Sequence, residues 1–246
     1  MFLCSLSPQL CNTAIHTITM AAPKLVHVTL GCGEANFGSA WIHVDGSTYP
    51  HIASHDIVNL PFKDNSIDLI YCSHTFEYFD RDECKDVLAK WYKKLKPGGV
   101  LRLAVPDFGA CAKLYVQDPI KYPLDKYVGM FFGKWAMTEE VMIYHKTLYD
   151  FASLKKTLED NGFTNSTRWN WREMFVGDLL GIDDYSQAYL PHMDKKNGTL
   201  VSCNIEATKP RRSTKKNMSN NNGTSKTFRV GNQHKGQEKY AGNSKL

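Results

Sequence analysis

The sequence predicts an α/β fold: a doubly wound, mostly parallel seven-stranded sheet with an antiparallel edge and a small aromatic-rich cap insertion. Three observations carry that expectation. Residues 25–45, LVHVTLGCGEANFGSAWIHVD, read as a buried strand, a glycine turn and a second strand that ends in a carboxylate. Residues 80–96 place Cys84, Val87, Leu88, Trp91, Tyr92 and Leu95 at i, i+3, i+4, i+7, i+8 and i+11, the apolar stripe of an amphipathic helix. Strand, helix and strand then recur at the spacing of right-handed crossovers, which build parallel sheets. A chain of 246 residues, 42% of them hydrophobic, suffices for one sizeable core.

In chain order, residues 1–23 contain no lysine or arginine, so they lack the positive region of a secretory signal and the arginines of a transit peptide. They are expected to be a disordered extension, with Met20 a candidate start, and the folded domain is expected over 24–208. Leu25, Val26, Val28 and Leu30 form the first apolar run. Gly31, Cys32 and Gly33 then let the backbone turn sharply and present N–H groups in place of side chains. Trp41, Ile42 and Val44 make the next strand, and Asp45 at its end stands where a nucleotide-type ligand offers ribose hydroxyls. A tight structural turn is the other reading of the glycine pair.

Lys63, Asp64, Asn65 and Ser66 form a turn before an apolar strand over 67–72. Asp56 precedes that strand by a loop's length. In a nucleotide-binding sheet it would accept from an adenine amino group while Ile57 packs on the ring; an exposed loop acid is the alternative. Asp80 with Glu83 makes a capping-box-like start to the helix over 80–96. Pro97, Gly98 and Gly99 end it, and a strand over 100–105 exits at Pro106 and Asp107. From 108 to 144 the chain is dense in aromatics and methionine: Tyr115, Tyr122, Tyr127, Met130, Phe131, Phe132, Trp135, Met137, Met142 and Tyr144. Core packing accounts for most of them, and the wall of a substrate-covering cap is the other reading. A second amphipathic helix follows over 148–161, stopped at Asn161 and Gly162, and strands over 163–169 and 199–207 form an antiparallel edge.

The basic balance of the chain is confined to its end. From Lys209 to Leu246 there are ten lysines and arginines and one acid, Glu238, so the preceding body is mildly acidic. A nucleic-acid-binding body is therefore not expected, and any attraction to phosphates belongs to the tail over 209–246, whose composition predicts disorder. A solubilising tail and a tether to nucleic acid or another anionic polymer both remain open. The seven cysteines are odd in number, dispersed and free of CxxC spacing, which argues against a zinc site or a disulfide framework and points to a reducing, cytoplasmic setting. No metal ligand set and no membrane span are expected.

Taken together, VTLGCG, the second strand ending in Asp45, HDIVNLPFKDNSIDLIYCSHTFEYF, WYKKLKPGGVLRLAVPDF and HKTLYDFASLKKTLEDNGF resemble the class I S-adenosylmethionine-dependent methyltransferases of the type 11-like group. The resemblance covers 25–210 and implies a Rossmann-like fold with S-adenosylmethionine as cofactor. Carried onto this sequence, it implies that Gly31, Cys32 and Gly33 contact the methionine portion through the backbone and that Asp45 takes the ribose hydroxyls. Asp56 and Ile57 would hold the adenine, and Ser73 and His74 would line the sulfonium end. The chain departs from the family at Thr29, where many members have an acid, at Ala35, the third glycine position, and in the loop over 33–41, too short for a full first helix.

Methyl transfer is an in-line displacement in which an enzyme mostly supplies alignment, with a base needed for a poorly acidic hydroxyl. Asp107, His145 and His74 are the candidate bases, each with a structural alternative as a capping acid or a hydrogen-bonded histidine. The resemblance points to a small-molecule or sugar hydroxyl as acceptor, with Tyr127, Trp135, Trp169 and Trp171 available for stacking. Two other readings stay open: a cofactor-binding module without turnover, and a nucleic-acid or protein methyltransferase recruited by the tail. The sequence VPDF at 105–108 is not the Asn/Asp-Pro-Pro-aromatic motif of amino-methylating DNA enzymes.

Overall fold

The computed structural model describes residues 25–136 and 141–211; the expectations for 1–23, for Met20, for Met137 and for the tail from 212 onward lie outside the described residues. Four strands come first: β1 (His27–Leu30), β2 (Trp41–Val44), β3 (Ile52–Ser54) and β4 (Ile67–Ser73). Helix α1 (Glu83–Lys94) leads into β5 (Leu95–Pro106). The insertion then holds α2 (Phe108–Gln117), α3 (Asp125–Phe131) and an antiparallel pair, β6 (Lys134–Ala136) with β7 (Met142–Tyr144). Helix α4 (Phe151–Asp160), β8 (Thr164–Arg168), the single turn α5 (Trp171–Met174) and β9 (Tyr189–Leu190), β10 (Thr199–Leu200) and β11 (Ser202–Thr208) complete the chain.

The main sheet has seven strands in the order β3-β2-β1-β4-β5-β11-β8. All neighbours are parallel except around β11, which runs against both β5 and β8. The reversed strand therefore lies one position in from the edge, with β8 outermost. It arises because β9 and β10 turn the chain back before the last strand enters the sheet.

Side-chain alternation divides the core. On β4, Ile70 and Cys72 join the principal cluster with Val28, Leu30, Leu101, Leu103, Val105 and Ile205, covered by Val87, Leu88 and Trp91 of α1 and Leu154 and Leu158 of α4. The alternate residues, Tyr71 on β4 and Ala104 on β5, belong to a second cluster with Phe37, Trp169, Met174 and Phe175. Helices α1 and α4 thus lie on one face. The other is covered by the loop after β1 and by α5 with its flanks, because the seven residues between Gly33 and β2 cannot hold a full helix.

Several local expectations appear in the hydrogen bonds. Asp80 and Glu83 bond reciprocally, the Asp80 carboxylate accepting from the Glu83 N–H at 2.8 Å and the Glu83 carboxylate from the Asp80 N–H at 2.9 Å. Asp150 and Ser153 form the same kind of box at α4. Trp91 is fully buried and donates its indole N–H to the Ile57 carbonyl at 2.7 Å. Among the described residues no helix is long and apolar enough to cross a membrane.

Lys209, the first residue of the basic tail by charge, is part of the folded body. Its backbone N–H donates to the Gly99 carbonyl and its carbonyl accepts from Gly98, extending the β5 edge. Its ammonium donates to the carbonyls of Tyr92 and Leu95 at 2.7 and 2.8 Å and to the Asn65 side chain at 2.9 Å, over the Tyr92 ring. A cation at a helix C-terminus satisfies both the unpaired carbonyls and the dipole. Lys209→Met keeps the stem and removes the donors, so urea denaturation is expected to lose about 1–3 kcal/mol with an unchanged slope. An unshifted midpoint would show that the three acceptors find other partners.

Candidate active site

Strand order reverses between β1 and β4, and the turns leaving their carboxyl ends meet there, the place where parallel sheets bind ligands. Leu30 pairs with Cys72 in register, so Gly31 and Ser73 leave the sheet side by side. Gly31 has φ +67, and a Cβ built on it would collide with the Thr75 side chain, whose hydroxyl donates to the Ser73 carbonyl at 3.1 Å. Gly33, at φ +54, has open space where its Cβ would stand. Its N–H donates to one Asp45 carboxylate oxygen at 2.8 Å, and the Ser47 N–H donates to the other at 2.7 Å. Asp45 is 8% exposed and thereby fixed beside the glycine turn, with lone pairs left for a ligand hydroxyl.

The remaining residues expected around the cofactor take different positions. Cys32 is half-buried, and burial with the nearby Asp45 charge pushes its thiol up to about 12, so it acts as a neutral spacer. Asp56 is exposed: one oxygen accepts the Val58 and Asn59 N–H groups at 2.8 and 2.7 Å, the other the Asn59 amide at 2.8 Å. These bonds, led by the Asn59 N–H, hold its carboxyl below the usual range. Ile57 is partly buried against the principal core cluster. The Ser73 hydroxyl ends β4 beside the Tyr71 phenol, buried and without a hydrogen bond of normal geometry.

Two of the three candidate bases come together on a residue the sequence reading did not single out. Glu77 sits in a single 3-10 turn, Phe76–Tyr78, directly after β4. Its side chain is 1% exposed, and neither carboxylate oxygen has a hydrogen-bond partner. His74 Nδ1 stands 3.6 Å from Glu77 Oε1, and His145 Nε2, reaching in after β7, stands 3.7 Å from the same oxygen. Both separations are too long for hydrogen bonds. Burial lowers both histidines, His74 to about 3, so neither forms an ion pair, and burial raises Glu77 to about 8.

The surrounding bonds determine which ring nitrogens carry protons. The Asn204 amide donates to the Ser186 carbonyl, so its Oδ1 accepts the Ser202 hydroxyl at 2.8 Å. Ser202 Oγ must then accept from His74 Nε2 at 3.0 Å, which leaves His74 Nδ1 with a lone pair facing Glu77. The Met130 carbonyl accepts from His145 Nδ1 at 2.9 Å, so His145 Nε2 also turns a lone pair toward Glu77. His74 holds this position at φ +47, and a Cβ at Gly133 would come within 2.5 Å of the His145 ring. Tyr185 and Tyr78 lie against the two rings. Among the described residues no set of three His, Cys, Asp or Glu side chains is arranged to hold a metal ion.

Asp107, the third candidate, caps α2. Its carboxylate accepts from the Ala110 N–H at 3.1 Å and lies 3.6 Å from the Arg168 guanidinium. Tyr127 and Trp169 are buried in core clusters, whereas Trp135 is exposed on β6. Ser202, Asn204 and Glu77 are the functional candidates missed from sequence. Only Glu77 had a local signal, an acid three residues after His74 inside the aromatic run FEYF.

Glu77 has a stability consequence with a definite sign. Below its ordinary value of 4.5 the acid is protonated in both the folded and the unfolded chain. Between 4.5 and about 8 only the unfolded chain gives up the proton, so wild-type stability falls as pH rises, and above that window the loss is complete. Glu77→Gln is therefore expected to gain on wild type across this window, by no more than about 1.4 kcal/mol per pH unit. Thermal melts of both proteins at pH 5 and pH 8 measure it; a stability difference that does not change with pH would mean Glu77 is ionised throughout.

Residues 24–103 match the family described as a methyltransferase domain. No curated protein sequence matches the chain. Among solved structures, an S-adenosylmethionine-dependent methyltransferase from Listeria monocytogenes aligns over 76% of this chain and 92% of its own at 19% identity, with a TM-score of 0.44. One from Methanosarcina mazei aligns over 75% and 92% at 16% identity with a TM-score of 0.44. Another, from Archaeoglobus fulgidus, aligns over 75% and 86% at 14% identity with a TM-score of 0.43. The matched segment carries the glycine turn, Asp45, Asp56 and the whole β4 exit, so the part of the chain from β1 into β5 is similar to a methyltransferase domain.

Proposed function

We propose that the chain methylates a hydroxyl group of a small molecule or a sugar. The observation that carries this reading is the meeting of two neutral imidazoles with a buried acid at the ligand edge of the sheet. A poorly acidic hydroxyl has to shed its proton as it is methylated, and a positioned base contributes roughly 10²–10⁴-fold to such a step. S-adenosylmethionine, when bound, supplies the methyl group on a positively charged sulfur. Gly31, Cys32 and Gly33 would hold its methionine portion through the backbone, Asp45 its ribose, Asp56 and Ile57 its adenine, and Ser73 and His74 its reactive end. The residues fit that ligand: Gly33 leaves open space, Asp45 keeps lone pairs, and Ser73 ends β4 with an unbonded hydroxyl.

His145 is the first choice for the proton acceptor, because it enters from the insertion that would cover a substrate; His74 is the second. Asp107 is the weakest of the three, since capping α2 occupies its carboxylate. Labelled S-adenosylmethionine offered with a panel of glycans, small metabolites and RNA tests the reading. Label is expected in the glycan or metabolite pool; label in RNA would favour recruitment by the basic tail. His145→Ala is expected to lower the single-turnover rate with saturating cofactor by about 10²–10⁴-fold. A wild-type rate would remove His145 from the mechanism.

A further inference from the structure

Glu77 presents a problem that the proposed reaction leaves unsolved. A carboxylate 1% exposed, without a hydrogen bond, is faced by the lone pairs of two imidazoles, each of whose other nitrogens is already committed as a donor. Three acceptors converging in a dry site repel one another unless something positive lies among them. No metal-holding set is present among the described residues. The groups packed around Glu77 are Cys72 from β4, Tyr78 from its own turn and Tyr149 from the entry to α4. All three have their ionisation pushed up, led by burial, with Tyr78 at about 12, so they stay neutral and offer no charge. The Lys146 N–H caps the Glu77 carbonyl, while the Lys146 ammonium is held at Glu83. What remains is a proton.

The unit also lies close to the cofactor's place. His74 and Glu77 flank Thr75, whose side chain fills the space above Gly31. A cation brought over the glycine turn therefore acts on Glu77 through a largely water-free interior, where charges interact far more strongly than in water.

We propose that His74, Glu77 and His145 form one buried proton-holding unit whose occupancy is coupled to the charge on the cofactor sulfur. The unit gives up its proton when the cationic sulfonium ligand binds and holds a proton again when the neutral thioether product is present. This rests on the proposed methyltransferase reading and deepens it, because it makes the unit basic only when a methyl group is available. In the reaction the acceptor's O–H bond breaks and its electron pair forms the new O–CH3 bond. The C–S pair stays on sulfur, and the released proton occupies the unit, stays there as product leaves, and passes to solvent when the next sulfonium ligand binds. His74 and His145 are the routes in and out, and Glu77 is a positioning and storage residue rather than a group that touches substrate.

Calorimetric titration of wild-type protein with S-adenosylmethionine and with S-adenosylhomocysteine, from pH 6.5 to 9 and in two buffers of different ionisation enthalpy, tests the coupling. The two ligands share their amino and carboxyl groups and differ in the sulfur's methyl group and the positive charge that comes with it. Proton release is expected with the sulfonium ligand and not with the thioether. Affinity for the sulfonium ligand should tighten with pH relative to the thioether, about tenfold for each unit by which Glu77 is shifted. Glu77→Gln should abolish that difference while leaving thioether affinity within a fewfold. If that variant does not fold, the infrared difference spectrum of wild type decides, since binding of the sulfonium ligand should remove the C=O band of a protonated carboxyl. Equal proton counts and parallel pH profiles for the two ligands would overturn the coupling. Failure of both ligands to bind would instead overturn the methyltransferase reading on which it rests.

Discussion

The parallel pairing of β1 with β4 is the constraint on which the rest of the structure depends. With Leu30 opposite Cys72, Gly31 and Ser73 leave the sheet side by side, and Thr75 occupies the space in which Gly31 would carry a Cβ. That close approach fixes both halves of the site. On one side the glycine turn is drawn back far enough for the Gly33 N–H to reach Asp45 at the end of β2. On the other, Thr75 anchors the short turn that places His74 and Glu77 under the same edge. The register belongs to apolar strands buried on both faces, so the site inherits its geometry from the core.

The parts of the fold legible in the sequence are those in which one element carries its own signal. The stripe on α1, the capping residues Asp80 and Glu83, and the runs of β1, β4 and β5 each declare themselves within a dozen residues. Strand β3 did not, because three residues of mixed burial carry no period. The place of β11 inside the edge depends on how the chain returns through β9 and β10, which is a tertiary matter. Lys209 shows the opposite error: its charge groups it with the tail, yet its four-carbon stem lets the ammonium cap a helix.

The site divides in the same way. Gly31, Gly33 and Asp45 lie within fifteen residues of each other and are held by local bonds, so their juxtaposition was readable. The cluster of His74, Glu77 and His145 was not, because Glu77 and His145 are far apart in sequence and are joined only when β6 and β7 fold back over the β4 exit. Ser202 and Asn204, which fix the tautomer of His74, come from the last strand and are ordinary strand polars by sequence. A resemblance at the level of motifs locates His74 and His145 but is silent on the proton each nitrogen carries.

Burial of Glu77 runs against folding stability, since the cost of desolvating the carboxylate outweighs what its own backbone N–H returns. An apolar side chain of similar size in that turn would remove the penalty. Other charged groups are satisfied: Asp184, half-buried, accepts bonds from Tyr71, Ser186 and the Ser186 N–H, and Lys209 has three acceptors. Among the described residues Glu77 is the acid left unsatisfied, and it stands beside the Gly31 turn at the carboxyl end of β4. A carboxylate that is costly in the empty protein would be less costly with a positive charge beside it, which is the physical basis of the coupling proposed above.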